Sequence, residues 1–489
     1  MNADTRYRNL IGEHWLPGEG AQRLSLNPSK PSEVLGTVEE ASAQQVADAF
    51  SAAARAFAGW RKTPSPERGR VIARAAAILR QKKEELAATM SREEGKLLRE
   101  ARGEIEKGLL LMDYYAGEGL RLGGETIPSE VSRTFTYTLR QPLGVVALIT
   151  PWNFPVAIPI WKAAPALVAG NTVVMKPSPL TPACAVLLAE AFQEAGLPAG
   201  VFNLVQGDAA VGEAMMQAPS LRAISFTGST PVGMSIYQKG AARGLKVTCE
   251  MGGKNAVVVL DDADLDLAAT GILQGAFGST GQRCTATSRV ICHPSVKAAL
   301  LERVVEGAKK LIPGDPFDDK SGLGPAVSEP QMQKVLQYIE ITKSEGAKLL
   351  CGGGRASEAG YFLSPTVFDG VVPNMRLARE EAFGPVLAVL EASTLEEAIA
   401  LTNDTEFGLT ASIYSRDPGA LMEFTENAEV GMVHLNQPTV GGEAQLPFGG
   451  VKKSGIGDRE MGKPGIEFFT ELKTVFYDFT GAIRKTSIY

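Results

Sequence analysis

Between residues 144 and 260, short apolar runs alternate with helical segments, and this alternation narrows the fold more than any other feature of the chain. Runs at 145–150, 172–176, 201–205, 223–227 and 246–249 have strand length and little polar alternation, as strands buried on both faces do. Helical stretches separate them, one between the first two runs, one at 182–195 and one opening near Thr230. Repeats of this kind predict an α/β fold with a doubly wound, largely parallel sheet, whose ligands sit at the carboxyl ends of the strands. A second α/β region is expected from a strand at 256–260, helices at 264–279, 295–311 and 329–345, and a strand-like run at 408–414.

Ahead of this core, the N-terminal stretch reads as an adapter followed by helices at 41–60, 67–90 and 104–120. Residues 134–139 (TFTYTL) alternate polar and apolar side chains, which predicts an antiparallel strand, and 473–479 (KTVFYDF) forms a strand-rich tail. These two segments are expected to donate strands to a neighbouring subunit, the plainer alternative being that they cap the core.

At 489 residues the chain has room for two or three domains. A net charge of −6 leaves no basic footprint, so no nucleic-acid partner is expected. Neither a signal peptide nor an unbroken apolar run of about 18 residues is visible, so the expectation is a cytoplasmic protein with no membrane span. Five cysteines without CxxC spacing, and three histidines, argue against a disulfide framework and against a metal site.

Chemistry first shows at Cys284, in Gly281-Gln282-Arg283-Cys284, and at Glu250, in Glu250-Met251-Gly252-Gly253-Lys254. A thiol adds to a carbonyl carbon and a carboxylate manages protons beside it, a pairing suited to covalent catalysis on an aldehyde or acyl group. Taken alone, a cysteine is more often a buried filler. Residues 226–233 (FTGSTPVG), with Gly228, Ser229 and Gly233, follow a strand and open a helix, so their N–H groups could hold a pyrophosphate. The spacing is not GxGxxG, and a plain strand-to-helix turn reads equally well.

These pieces occur in order with Pro151-Trp152-Asn153-Phe154-Pro155, Lys176-Pro177-Ser178, Glu380-Glu381-Ala382-Phe383-Gly384-Pro385 and Pro447-Phe448-Gly449-Gly450. Together they resemble the aldehyde dehydrogenase superfamily from about Asn9 to Tyr477, and look closest to its α-ketoglutarate semialdehyde (2,5-dioxopentanoate) branch. The resemblance implies an NAD(P)-binding domain over 1–120 and 142–250, and a catalytic domain over 251–450. It also implies a small β oligomerisation arm over 121–141 and 470–489, with 451–469 packing back on the cofactor domain. The expected assembly is a homodimer or homotetramer. By the same resemblance Cys284 is the nucleophile, Asn153 an oxyanion donor and Glu250 the base that activates water. Glu460 is a second acid or a surface carboxylate. Trp152, Lys176, Ser178, Pro179, Gly228, Ser229, Gly233, Glu381 and Phe383 fall at cofactor positions.

Two departures from the family pattern matter. Pro179 stands where NAD-selective members often carry a glutamate that would repel a 2′-phosphate, so NADP is expected to be accepted, with NAD use left open. Gly278 and Trp161 stand where acid-semialdehyde enzymes often place arginines. A substrate carboxylate then lacks its usual partner unless Arg283 or another loop residue serves. The substrate therefore remains 2,5-dioxopentanoate or a more apolar or aromatic aldehyde. Coenzyme A acylation and a non-catalytic role stay as lesser alternatives. The substrate tunnel is expected around 112–115, 278–283 and 436–445.

Overall fold

The computed structural model describes residues 3–481. Five parallel strands, β1 (Val145–Ile149), β2 (Thr172–Lys176), β3 (Phe202–Leu204), β4 (Leu221–Thr227) and β5 (Lys246–Glu250), lie in the order β5-β4-β1-β2-β3. β1 and β2 are buried along their whole length, as their Val- and Ile-rich sequences require. The order reverses between β1 and β4, so their carboxyl ends diverge and leave a crevice. The sheet is eight-stranded because Asn9–Ile11 and His14–Leu16 extend one edge and Gly455–Ile456 pairs antiparallel with β5 at the other.

A seven-stranded sheet follows, built on β6 (Asn255–Val259), β7 (Thr287–Cys292), β8 (Thr366–Asp369), β9 (Val386–Glu391), β10 (Thr410–Tyr414) and β11 (Met432–Leu435). All six are parallel, and Lys348–Cys351 closes one edge antiparallel. Thr134–Pro142 and Thr470–Asp478 pair antiparallel from Thr470 opposite Pro142 to Asp478 opposite Thr134. The last eight residues of the expected strand-rich arm, 482–489, lie outside the described residues. Among the described residues no helix is long and apolar enough to cross a membrane.

Two expectations are corrected. The adapter is a folded unit: Lys30–Glu39 forms a sheet with Gln22–Asn27 and Arg6–Tyr7, while Asn9–Ile11 joins the large sheet. Asn9–Ile11 is only three residues long and pairs with Phe202–Leu204, far off in sequence, which local periodicity does not reveal. The single helix over 67–90 is two, Ser65–Gln81 and Lys83–Glu93. No Gly or Pro marks the break at Lys82. The turn lets Leu86 and Met90 share one core with Ile72 and Leu79, so packing overrides helix propensity.

A buried ionic cluster joins the next two helices, α1 (Leu98–Glu118) and α2 (Ala157–Ala169). Glu104 of α1 accepts from the Val156 and Ala157 N–H groups at 2.9 and 3.1 Å, serving as a remote cap for α2. Its other oxygen meets the Lys96 ammonium at 2.5 Å, and Lys96 also donates to the Asn153 carbonyl at 2.6 Å. Glu94 lies 3.5 Å from the same ammonium, and burial pushes its carboxyl up to about 8. Removing one member of such a pair strands the other without compensation. Glu104→Leu is expected to cost about 3 kcal/mol, seen as a lowered thermal midpoint. Glu104→Leu with Lys96→Met should cost less than the sum of the two single changes.

Candidate active site

Cys284 sits on the loop between a short 3-10 turn (Gly278–Gly281) and β7, facing the end of β5. The turn is strained: Ser279 and Thr280, neither of them glycine, have φ of 50° and 57°. Contacts from distant segments hold it there. Ser279 N–H donates to Glu100 of α1 at 2.7 Å, and the Thr280 hydroxyl donates to the Gly324 carbonyl at 3.0 Å. Gly281, at φ +66°, passes so close to the Gly384 carbonyl that a Cβ would stand 2.4 Å from that oxygen. Gly253 is constrained the same way, since a Cβ there would stand 2.6 Å from the Cys284 carbonyl oxygen. Asn255 Nδ2 donates to that carbonyl at 2.8 Å. The glycines thus bring the β5–β6 turn against the cysteine loop.

The Cys284 side chain opens into a cavity of about 160 Å³ that it shares with Trp152, Asn153, Glu381 and Phe383. Asn153 Nδ2 donates to the Gln282 carbonyl at 3.0 Å, which leaves its second amide hydrogen for a ligand. Glu381 accepts from Gly253 N–H at 2.9 Å, and the Phe383 ring meets Trp152 edge-on at 5.4 Å. Burial, then the fields of Glu250 and Glu381, push the Cys284 thiol up to about 12, while Lys107 and the Thr285 N–H pull the other way.

Glu250 ends β5 opposite Thr227 of β4 and is buried. Its carboxyl does not line the cysteine cavity. It turns toward the glycine pair Gly449–Gly450 and accepts from Gly450 N–H at 3.3 Å. Burial and the nearby Glu460 hold it well above the usual carboxylate range, against the pull of Lys162 and Arg459. The alternative of a surface carboxylate for Glu460 is corrected, for only 5% of it is exposed. It accepts from Trp161 Nε1 at 2.7 Å and from the Ser225 hydroxyl at 2.9 Å, and pairs with the Lys162 ammonium.

The cysteine cavity runs into a second, of about 510 Å³, over the carboxyl ends of β1, β2 and β4; Trp152, Gly228 and Ser229 line both. Lys176, Ser178 and Pro179 line the second. The Lys176 ammonium donates to the Pro177 and Gly207 carbonyls at 3.0 and 2.9 Å, keeping its third hydrogen for a ligand. Its pKa is lowered to about 8 by burial. Ser229 caps the helix α3 (Thr230–Ala242) by backbone position only, so its hydroxyl is not spent on the helix. Donors at a helix N-terminus and at the strand switch suit a ligand with a ribose and a diphosphate.

An aldehyde dehydrogenase family model matches residues 15–475. The chain belongs to the aldehyde dehydrogenase family. Its relatives include the α-ketoglutaric semialdehyde dehydrogenase of Bacillus subtilis (strain 168), 44% identical over 96% of this chain and 98% of the relative. Among solved structures, an NAD-dependent aldehyde dehydrogenase from Sinorhizobium meliloti superposes with a TM-score of 0.96 at 38% identity, over 99% of this chain and 97% of that one. An E. coli NADP dependent enzyme superposes at 0.94 with 37% identity, over 96% and 98% of the two chains.

In this aldehyde dehydrogenase the structure gathers Cys284, Asn153, Trp152, Glu381, Phe383, Gly228 and Ser229 around one cleft. Gly233 is set apart from it. It is buried in α3, where a Cβ would meet Met251 Sδ at 2.6 Å, so it serves helix–strand packing and lines neither cavity. Met112 and Tyr115, expected at the tunnel, are core residues with no exposed surface. Gln331 and Lys334, on the helix Glu329–Ser344, line the cysteine cavity and were not legible in sequence. Gln331 Nε2 donates to the Phe383 carbonyl at 2.8 Å, supporting that residue at its positive φ of 58°.

Only thiolate reacts with an alkylating agent, so a thiol held near 12 should be slow at neutral pH. In ligand-free enzyme, iodoacetamide labelling of Cys284, followed by peptide mass spectrometry, is expected to rise about tenfold per pH unit from 7 to 10 without a plateau.

Proposed function

We propose that this aldehyde dehydrogenase oxidises an aldehyde to its carboxylic acid with a nicotinamide dinucleotide, and that its substrate is 2,5-dioxopentanoate. The observation carrying the reading is the continuity of the Cys284 cavity with the cleft at the β1/β4 switch. The α-ketoglutaric semialdehyde relative supports the substrate. Residues 1–120 and 142–250, which supply seven strands of the eight-stranded sheet, take the cofactor role, and residues 251–450 the catalytic role. The pairing of Thr134–Pro142 with Thr470–Asp478 supports an arm for a dimer or tetramer, since Phe476 and Tyr477 on it are exposed. Net charge and the lack of any membrane-crossing helix among the described residues agree with a cytoplasmic enzyme.

Lys176, Ser178 and Ser229 would hold the adenosine ribose and diphosphate, and Glu381 and Phe383 the nicotinamide end. When bound, the nicotinamide supplies the hydride acceptor. Cys284 Sγ attacks the aldehyde carbon, its proton leaving to solvent or to ionised Glu250, and forms a thiohemiacetal. Asn153 Nδ2 and the Cys284 backbone N–H stabilise the oxyanion, one such donor being worth about 3 kcal/mol of barrier. Loss of hydride leaves a thioester on Cys284. Glu250, swung from the glycine turn toward the cysteine, takes a proton from the water that hydrolyses it. Glu460, with Lys162 beside it, relays that proton away. A water-activating acid at Glu250 favours hydrolysis over transfer to coenzyme A.

A panel of 2,5-dioxopentanoate, succinate semialdehyde, benzaldehyde and short aliphatic aldehydes, each with NAD+ and NADP+, tests this reading. The highest kcat/KM is expected for 2,5-dioxopentanoate, and preference for benzaldehyde would overturn the substrate. Because only ionised Glu250 accepts a proton and its pKa is raised, turnover should climb with pH above the ordinary carboxylate range. Glu250→Gln should remove that climb and lower kcat by about 100-fold or more, while keeping a burst of one reduced nicotinamide per site.

Pro179 leaves the adenosine end without the glutamate that would repel a 2′-phosphate, but Asp208 and Glu213 line the same cavity. Both dinucleotides are therefore expected to serve. Lys176→Ala should lower kcat/KM for NADP+ by about 10- to 100-fold, the worth of a charged hydrogen bond, and for NAD+ by less.

A further inference from the structure

The substrate assigned above carries a carboxylate, yet the positions where arginines would grip it hold Gly278 and Trp161. Arg283 does not fill the gap. Its guanidinium folds back to within 3.4 Å of where a Gly278 Cβ would be, and donates to the Ser279 hydroxyl at 3.1 and 2.9 Å. Glu100 lies 3.7 Å from it and offsets its charge. Of the other ammonium groups, Lys96 is engaged with Glu104 and Lys162 with Glu460, while Lys334 lies in the field of Glu381, at the end of the cavity assigned to the nicotinamide.

Lys107 differs. It lies on α1 one turn beyond Glu104 and is half-buried, with no hydrogen bond or ion pair among the described residues. Its ammonium stands 5.6 Å from the centre of the Trp161 ring, and 3.5 Å from where a Cβ on Gly442 would be. Trp161 is fixed by its bond to Glu460 and by the Phe448 ring 5.4 Å away. The result is a pair of nearly buried aromatic rings, Trp161 and Phe448, with an unpaired ammonium over the first. Lys107 and Cys284 also lie within reach of each other's charge, and burial lowers the lysine's pKa. A half-buried ammonium with no counter-ion is a costly arrangement. It becomes favourable when an anion arrives, and a carboxylate gives the strongest hydrogen bond an ammonium makes.

Resting on the aldehyde-oxidising function of Cys284, we propose that Lys107 binds the distal carboxylate of the substrate and selects carboxylate-bearing aldehydes over neutral ones. Trp161 and Phe448 flank the carbon chain, and Gly442 leaves room for the carboxylate because it has no side chain. Lys107 is thus a specificity residue supplied by a helix, in place of arginines supplied by the cysteine loop and α2.

Two measurements test this. In the first, kcat/KM is compared for glutarate semialdehyde and for pentanal, its neutral counterpart. The ratio is expected to fall by about 10- to 100-fold in Lys107→Met, and to stay within a few-fold of the native ratio in Lys107→Arg. An equal fall for both aldehydes would overturn the proposal, for it would mean that Lys107 acts on the thiol. The second needs no turnover: glutarate, the product acid, is expected to slow alkylation of Cys284 in the native enzyme and not in Lys107→Met. Equal protection in both, or protection in neither, would overturn it as well. Absence of oxidation with every aldehyde would defeat the enzymatic reading instead, a separate outcome.

Discussion

An ammonium and a carboxylate, each with 1% of its side chain exposed, hold the cysteine site together from beneath. Lys96 and Glu104 pair there with Glu94 beside them, and both members of the pair also bond to backbone. Lys96 takes the carbonyl of Asn153 and Glu104 takes the first N–H groups of α2. One turn earlier on α1, Glu100 accepts from Ser279 at the base of the cysteine loop. A single helix therefore grips both the Asn153 loop, which leaves the eight-stranded sheet, and the Cys284 loop, which enters the seven-stranded one. Two loops carried by different sheets stay in register because one rigid element holds each through a carboxylate, fully buried at Glu104 and partly buried at Glu100.

The same low-dielectric interior sets the resting state of the chemistry. Cys284 and Glu250 are both pushed toward their neutral, protonated forms, mainly by burial, then by the fields of Glu250 and Glu381 on the thiol and of Glu460 on the carboxyl. A thiol in this state is protected from adventitious oxidation and alkylation. Activation then requires positive charge or hydrogen-bond donors to arrive, or Glu250 to move. The Gly449–Gly450 turn suits that movement: a Cβ at Gly449 would stand 2.3 Å from a Glu250 oxygen, so only glycine leaves the carboxyl its resting place. Glu460, paired with the Lys162 ammonium, lies beside Glu250, and its field adds to burial in raising the Glu250 carboxyl.

The parallel sheet was legible because its strands are buried on both faces and so appear as continuous apolar runs. Thr172–Lys176 coincides with the expected strand, and Val145–Ile149 ends one residue short of it. The antiparallel Thr134–Pro142 was legible from polar and apolar alternation, although Phe135 and Leu139 are exposed and Thr136 is buried. Arg6–Tyr7, Asn9–Ile11 and His14–Leu16 were not, because two- and three-residue strands have no measurable period. At the site, Cys284, Glu250 and Asn153 carried recognisable neighbours, whereas Gln331, Lys334 and Lys107 sit in ordinary amphipathic helices. Nothing in a helical repeat tells which of its polar residues faces a cavity built by another domain.

What the sequence determined by itself is therefore whatever depends on near neighbours: the run lengths that make strands, the Gly252–Gly253 turn, and the order of motifs that marks the family. Only the tertiary structure decided which charges are compensated. Glu100 meets Ser279 across 179 residues, and Trp161 meets Glu460 across 299. Those pairings leave Lys107 as a lysine beside the site with no anionic partner among the described residues. Electrostatic energy depends on distance through space and on distance from water, and separation along the chain measures neither.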